Sequence, residues 1–66
     1  MCNLVRLVYY FENGCDLEDP CCAIAVEARA YRDEFGEDVA LEYIAEVVGV
    51  PRHHIEAVRS QIRATR

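Results

Sequence analysis

Gly49 sits between two apolar repeats, and it constrains the fold of this chain more than any other residue. Before it, Leu41, Ile44, Ala45 and Val48 recur at i, i+3, i+4 and i+7, the spacing of one buried helix face. After it, Ile55, Val58 and Ile62 resume the same period. Glycine reaches the left-handed backbone conformation that ends helices without a side-chain clash. Pro51 then suits the first turn of a new helix, where its missing N–H leaves nothing unpaired. Residues 41–62 therefore predict two short helices joined by a tight turn.

A small residue inside the first helix (Ala45), a glycine four residues on (Gly49) and a branched apolar residue six beyond that (Ile55) carry a family likeness. With them the stretch resembles the helix-turn-helix DNA-binding motif. The resemblance implies that Ala45 lets the second helix approach closely and that Ile55 fills the angle between the two. It also implies a recognition helix in the major groove. Arg52, His53, Glu56 and Ser60 would then face base edges, and Arg59 and Arg63 would reach phosphates. The spacing alone allows a plainer account. Arg52, Glu56, Arg59, Arg63 and Arg66 lie at i, i+4, i+7, i+11 and i+14, a stripe that ion pairs of ~0.2–0.5 kcal/mol each can stitch together in solvent. A helix pair also serves as a scaffold for protein contact, because fold does not fix function.

With 66 residues the chain makes a single small domain, 1–66, whose core supplies only marginal stability. No apolar run approaches the ~20 residues of a membrane span, and no basic segment precedes an apolar core. A cytoplasmic protein with no membrane partner is the expectation. The net charge of −5 is unevenly spread. Residues 51–66 carry Arg52, Arg59, Arg63 and Arg66 against the single acid Glu56, and the other acids crowd residues 1–50. Such acidity argues against sequence-blind nucleic-acid binding, which depends on neutralising phosphates. A localised basic footprint on the last helix stays open.

Residues 4–11, LVRLVYYF, are rich in Val, Tyr and Phe and lean toward a strand. Asn13-Gly14 is a turn signal able to close a short hairpin onto residues 15–17. The helical alternative rests on Leu4, Leu7, Val8 and Phe11, also at i, i+3, i+4 and i+7, with Asn3 as cap. A lone strand leaves N–H and C=O groups unpaired, and the same strand of a second copy would satisfy them. A homodimer is thus expected, which also gives a helix-turn-helix reader its two-fold symmetry. Asp19-Pro20 opens a helix, with Asp19 as N-cap and Pro20 at the first position. Cys21, Ile24, Ala28, Tyr31 and Phe35 form its expected buried stripe, and Gly36 ends it. The expected fold is α+β and mainly α. A strand or short hairpin arm over 1–18 precedes a three-helix unit over 19–66, the last two helices forming the helix-turn-helix.

Cys2, Cys15, Cys21 and Cys22 allow three disulfide connectivities. Without a secretion signal, disulfides are the weaker expectation. The cysteines also lack the paired spacing of two to four residues that zinc sites use. The expectation is a small buried hydrophobe at Cys21 or Cys22, with no metal and no cofactor. A thiol in that first helical turn would still be reactive, because the helix dipole lowers its pKa. His53 and His54 are adjacent and cannot face one way, and no recognisable nucleophile or orienting acid accompanies them. No enzyme is expected. Glu12, Asp16, Glu18 and Asp19 cluster together, with Glu27, Asp33, Glu34, Glu37 and Asp38 further on. In size and charge the chain is similar to small phage inhibitors such as anti-CRISPR proteins. That likeness implies an acidic surface engaging a basic groove of a host nucleic-acid-handling complex. The leading expectation is a small DNA-binding transcriptional regulator, and the alternative is this acidic protein-interaction module.

Overall fold

Asn3 starts the first helix. In the computed structural model, which describes residues 3–15 and 18–65, its Oδ1 accepts from the N–H of Val5 at 2.8 Å. The helix it caps, α1, runs Leu4–Asn13. Leu7, Val8 and Phe11 face inward and are fully buried, whereas Val5 and Tyr9 are 54 % and 50 % exposed. The expected strand is therefore a helix. Strand alternation would have set Val5, Leu7, Tyr9 and Phe11 on one face. A helix satisfies its own backbone groups, and among the described residues there is no strand with which residues 4–13 could pair. The α+β class and the hairpin arm over 1–18 give way to an all-helical fold. The strand-pairing reason for a homodimer goes with them. Asp16 and Leu17, the far end of the expected hairpin, lie outside the described residues, as do Cys2 and Arg66.

Three further helices follow: α2 (Pro20–Phe35), α3 (Glu37–Val48) and α4 (Arg52–Ala64). Asp19 caps α2 as expected, its Oδ1 accepting from the Cys21 N–H at 2.7 Å. One residue, Gly36, joins α2 to α3 with a φ of 101°, a conformation that side chains resist. Gly49 ends α3 in the left-handed region, with φ 83° and ψ 33°. The Ala45 carbonyl accepts from both Gly49 and Val50, at 2.8 and 3.1 Å, a Schellman-type closure.

The last helix closes the arrangement on the first. α1 packs on α2 and α4, and α3 likewise packs on α2 and α4. Leu7, Phe11, Ala25, Ala28, Leu41, Ile44, Ile55 and Ile62 fill the space between them. Among the described residues no polar side chain is buried, so any functional group lies at the surface. None of these helices is long and apolar enough to cross a membrane.

Two further expectations change. The α2 stripe holds at Cys21 and Ala28, but Tyr31 and Phe35 are 37 % and 58 % exposed. The core-facing line of α2 is Cys21, Ala25 and Ala28, and Tyr31 follows the other edge of the helix. The described cysteines are not free thiols. Cys15 is bonded to Cys22, with Cα atoms 6.0 Å apart, and Cys21 is also held in a disulfide. Among the described residues there is no free cysteine and no group of three metal ligands. The turn at Gly14 brings Cys15 back over the start of α2, where Cys21 and Cys22 are both buried. Such a staple supplements a core of this size.

Leu7 and Val5 distinguish the helix from a strand by measurement. Leu7→Ala is expected to lower stability in urea denaturation by about 2–5 kcal/mol. Val5→Ala should change it by less than about 0.5 kcal/mol, whereas a strand would place both on one face.

Candidate interaction surfaces

The stripe of arginines on α4 runs beside its buried line of Ile55, Val58 and Ile62, where the helix meets α1 and α3. Arg52 donates to three carboxylates: Asp38 Oδ1 at 2.5 Å, Glu42 Oε1 at 3.4 Å and Glu56 Oε2 at 3.2 Å. The hydrogen bond to Asp38, above its other contacts, raises the Arg52 pKa beyond its ordinary value. Arg59 Nε lies 3.4 Å from Glu12 Oε1, and its Nη1 donates to Glu37. Arg63 Nη2 is 3.0 Å from the same Glu12 oxygen. The side chains of Arg59 and Glu12 are only 15 % and 14 % exposed. Glu12 of α1 is thus gripped between two arginines of α4.

This geometry divides the residues expected to read DNA. Arg52, Arg59 and Arg63 hold carboxylates from other helices, and Glu56 is bound to Arg52. His53 and Ser60 are exposed, each one residue on from an arginine and so ~100° around the helix from it. His54 is exposed too, its backbone N–H bonded to the Pro51 carbonyl at 3.0 Å. At the α3–α4 turn, Ala45 and Ile55 are buried on either side of Gly49. Arginines elsewhere behave alike. Arg6 pairs with Asp19 at 3.5 Å, Arg29 donates to the Phe11 carbonyl at 2.8 Å, and Arg32 stands 5.2 Å from the Phe11 ring centroid. Every described arginine therefore has a partner within the chain.

The carboxylates are not all used in this way. Among the described residues, Glu18, Glu27, Glu34 and Glu46 make no ion pair. Glu27 and Glu34 on α2 border a partly exposed aromatic set, and Glu46 lies three residues on from Tyr43 along α3. The Tyr31 ring centroid lies 4.9 Å from that of Tyr43 and 6.1 Å from that of Phe35. Val39, Tyr43 and Val47 recur at i, i+4 and i+8 along the outer side of α3, with both valines exposed. Tyr43 donates its hydroxyl proton to Glu27 Oε2 at 2.8 Å. Burial first, then this bond and the charge of Glu27, push the Tyr43 phenol up to about 12.

Periodicity alone misses this face, because Tyr31 and Phe35 also extend the Ile24–Ala28 repeat. The available signal is on α3, where Val39, Tyr43 and Val47 fall off the Leu41, Ile44, Ala45 and Val48 line. No protein-family model, curated protein or solved structure matches the chain. Function is inferred from these two surfaces alone.

Arg59→Ala is expected to lower stability by about 1–2 kcal/mol, since its ion pairs are partly buried. The more exposed Arg63→Ala should cost under about 0.5 kcal/mol in the same denaturation assay. Alkaline titration followed by tyrosinate absorbance should show the Tyr43 phenol with its midpoint at about 12. Glu27→Gln should return it toward the ordinary value of ~10. Because the folded value is raised, the stability contributed by protonated Tyr43 is complete below pH ~10 and is lost as pH climbs through the folded value.

Proposed function

We propose that the chain is a small acidic protein-interaction module that binds a cationic surface on a partner protein. The sorting of charge carries this reading. Asp38, Glu42, Glu56, Glu12 and Glu37 occupy the arginines of α4. The carboxylates left over include Glu27, Glu34 and Glu46, beside exposed Tyr31, Phe35, Val39 and Val47. An acidic border steers a basic partner into register, and aromatic side chains supply the desolvated anchor. The net charge of −5 acts in the same direction. Disulfides persist in oxidising surroundings, so the Cys15–Cys22 bond favours such a compartment over the cytoplasm. That also weighs against a cytoplasmic nucleic-acid-handling complex as the target.

DNA binding through α4 is the second reading. It is favoured by the left-handed turn at Gly49 and by the open positions of His53 and Ser60. It requires Arg52, Arg59 and Arg63 to exchange carboxylates for phosphates.

One pair of titrations separates the two. Isotope-labelled protein at low salt is mixed with soluble polyarginine or with mixed-sequence duplex DNA, and amide shifts are followed by NMR. The proposal expects polyarginine to shift residues of α2 and α3, less so as salt rises, and DNA to leave the spectrum unchanged. DNA-induced shifts confined to residues 51–63 and reversed by salt would instead establish the regulator.

A further inference from the structure

Glu27, Ala30, Tyr31 and Glu34 lie at i, i+3, i+4 and i+7 on α2 and line a groove of about 240 Å³. Small Ala30 and the Tyr31 ring form its middle, and a carboxylate stands toward each end. Phe35 and Tyr43 flank the ring at 6.1 and 4.9 Å between centroids, which limits its swing. The Tyr43 hydroxyl occupies Glu27 Oε2 and leaves Oε1 for an outside donor. Neither Glu27 nor Glu34 forms an ion pair among the described residues.

Building on the reading of the chain as an interaction module, we propose that this groove docks an arginine side chain from a basic segment of the partner. The guanidinium plane lies against Tyr31, and its N–H groups point toward Glu27 and Glu34. The chemistry favours arginine over lysine. Residues 27 and 34 are ~10 Å apart along the helix axis, so their side chains must converge on one ligand, and a compact ammonium offers no planar face to the Tyr31 ring between them. A guanidinium carries five donors in a planar fork and stacks on an aromatic face as well. Exposed Val39 and Val47 on the adjoining helix offer apolar ground for the residues flanking that arginine. A second copy of this chain is a poor occupant, because its described arginines are engaged with groups of their own chain. Anionic partners are repelled by both ends of the groove.

The test is a titration of labelled protein with a blocked hexapeptide of alternating leucine and arginine, and with its lysine counterpart. Shifts should centre on residues 27–34 and Tyr43, and the arginine peptide should bind about fivefold more tightly. Glu34→Gln, at an exposed position, should weaken the arginine peptide about threefold or more while leaving the circular dichroism spectrum unchanged. Tyr31→Ala should remove the preference for arginine. If that variant fails to fold, Glu34→Gln decides. Equal affinities, with shifts spread to Glu18 and Glu46, overturn the arginine seat and leave the broader module standing. No shift with either peptide overturns both.

Discussion

The carboxylate of Glu12, held between Arg59 and Arg63, ties the last helix to the first. The apolar line of Ile55, Val58 and Ile62 gives α4 its attraction to the core, but apolar contact is not directional. Direction comes from the charged edge beside that line, where α1 supplies Glu12 and α3 supplies Glu37, Asp38 and Glu42. The Arg59–Glu12 pair, with both side chains largely shielded, resists salt better than pairs in open solvent. With every described arginine engaged inside the chain, the charges left unpaired among the described residues include the carboxylates of Glu27 and Glu34 beside Tyr31.

Local chemistry explains which elements were readable from the sequence. Asp19-Pro20 and Gly49 each need no distant partner to act, and both mark helix boundaries where expected. The inner faces of α3 and α4 follow from apolar spacing. LVRLVYYF is different, because its residues satisfy a period of two and a period of 3.6 equally well. What decides is whether another strand is available, and that is a property of the whole chain. The arginine stripe was legible as a stripe. Its surroundings were not, since Glu12 lies at the other end of the sequence.

The cysteines show the limit of arguing from compartment to chemistry. A compartment guessed from composition is an indirect argument about redox conditions, whereas a 6.0 Å Cα separation is a direct statement about reach. Adjacent residues on a helix normally diverge, yet Cys21 and Cys22 are both buried, because α2 packs against α1 and Cys22 is bonded to Cys15. Tyr31 and Phe35 illustrate the opposite case. They continue an apolar repeat past the point where neighbouring helices cover it, so the pattern persists while the burial does not.

Gly36 gives the α2–α3 pair a further property. A one-residue connection in a conformation restricted to glycine leaves the two helices almost no independent freedom, and the hydrogen bond from its N–H to the Arg32 carbonyl at 3.0 Å fixes it further. The aromatic rings carried by those helices are therefore positioned before any encounter. A ligand meeting them has no loop to order and little backbone entropy to extinguish. The docking proposed for this face would then approximate the meeting of two rigid bodies, with selectivity set by shape and charge at first contact.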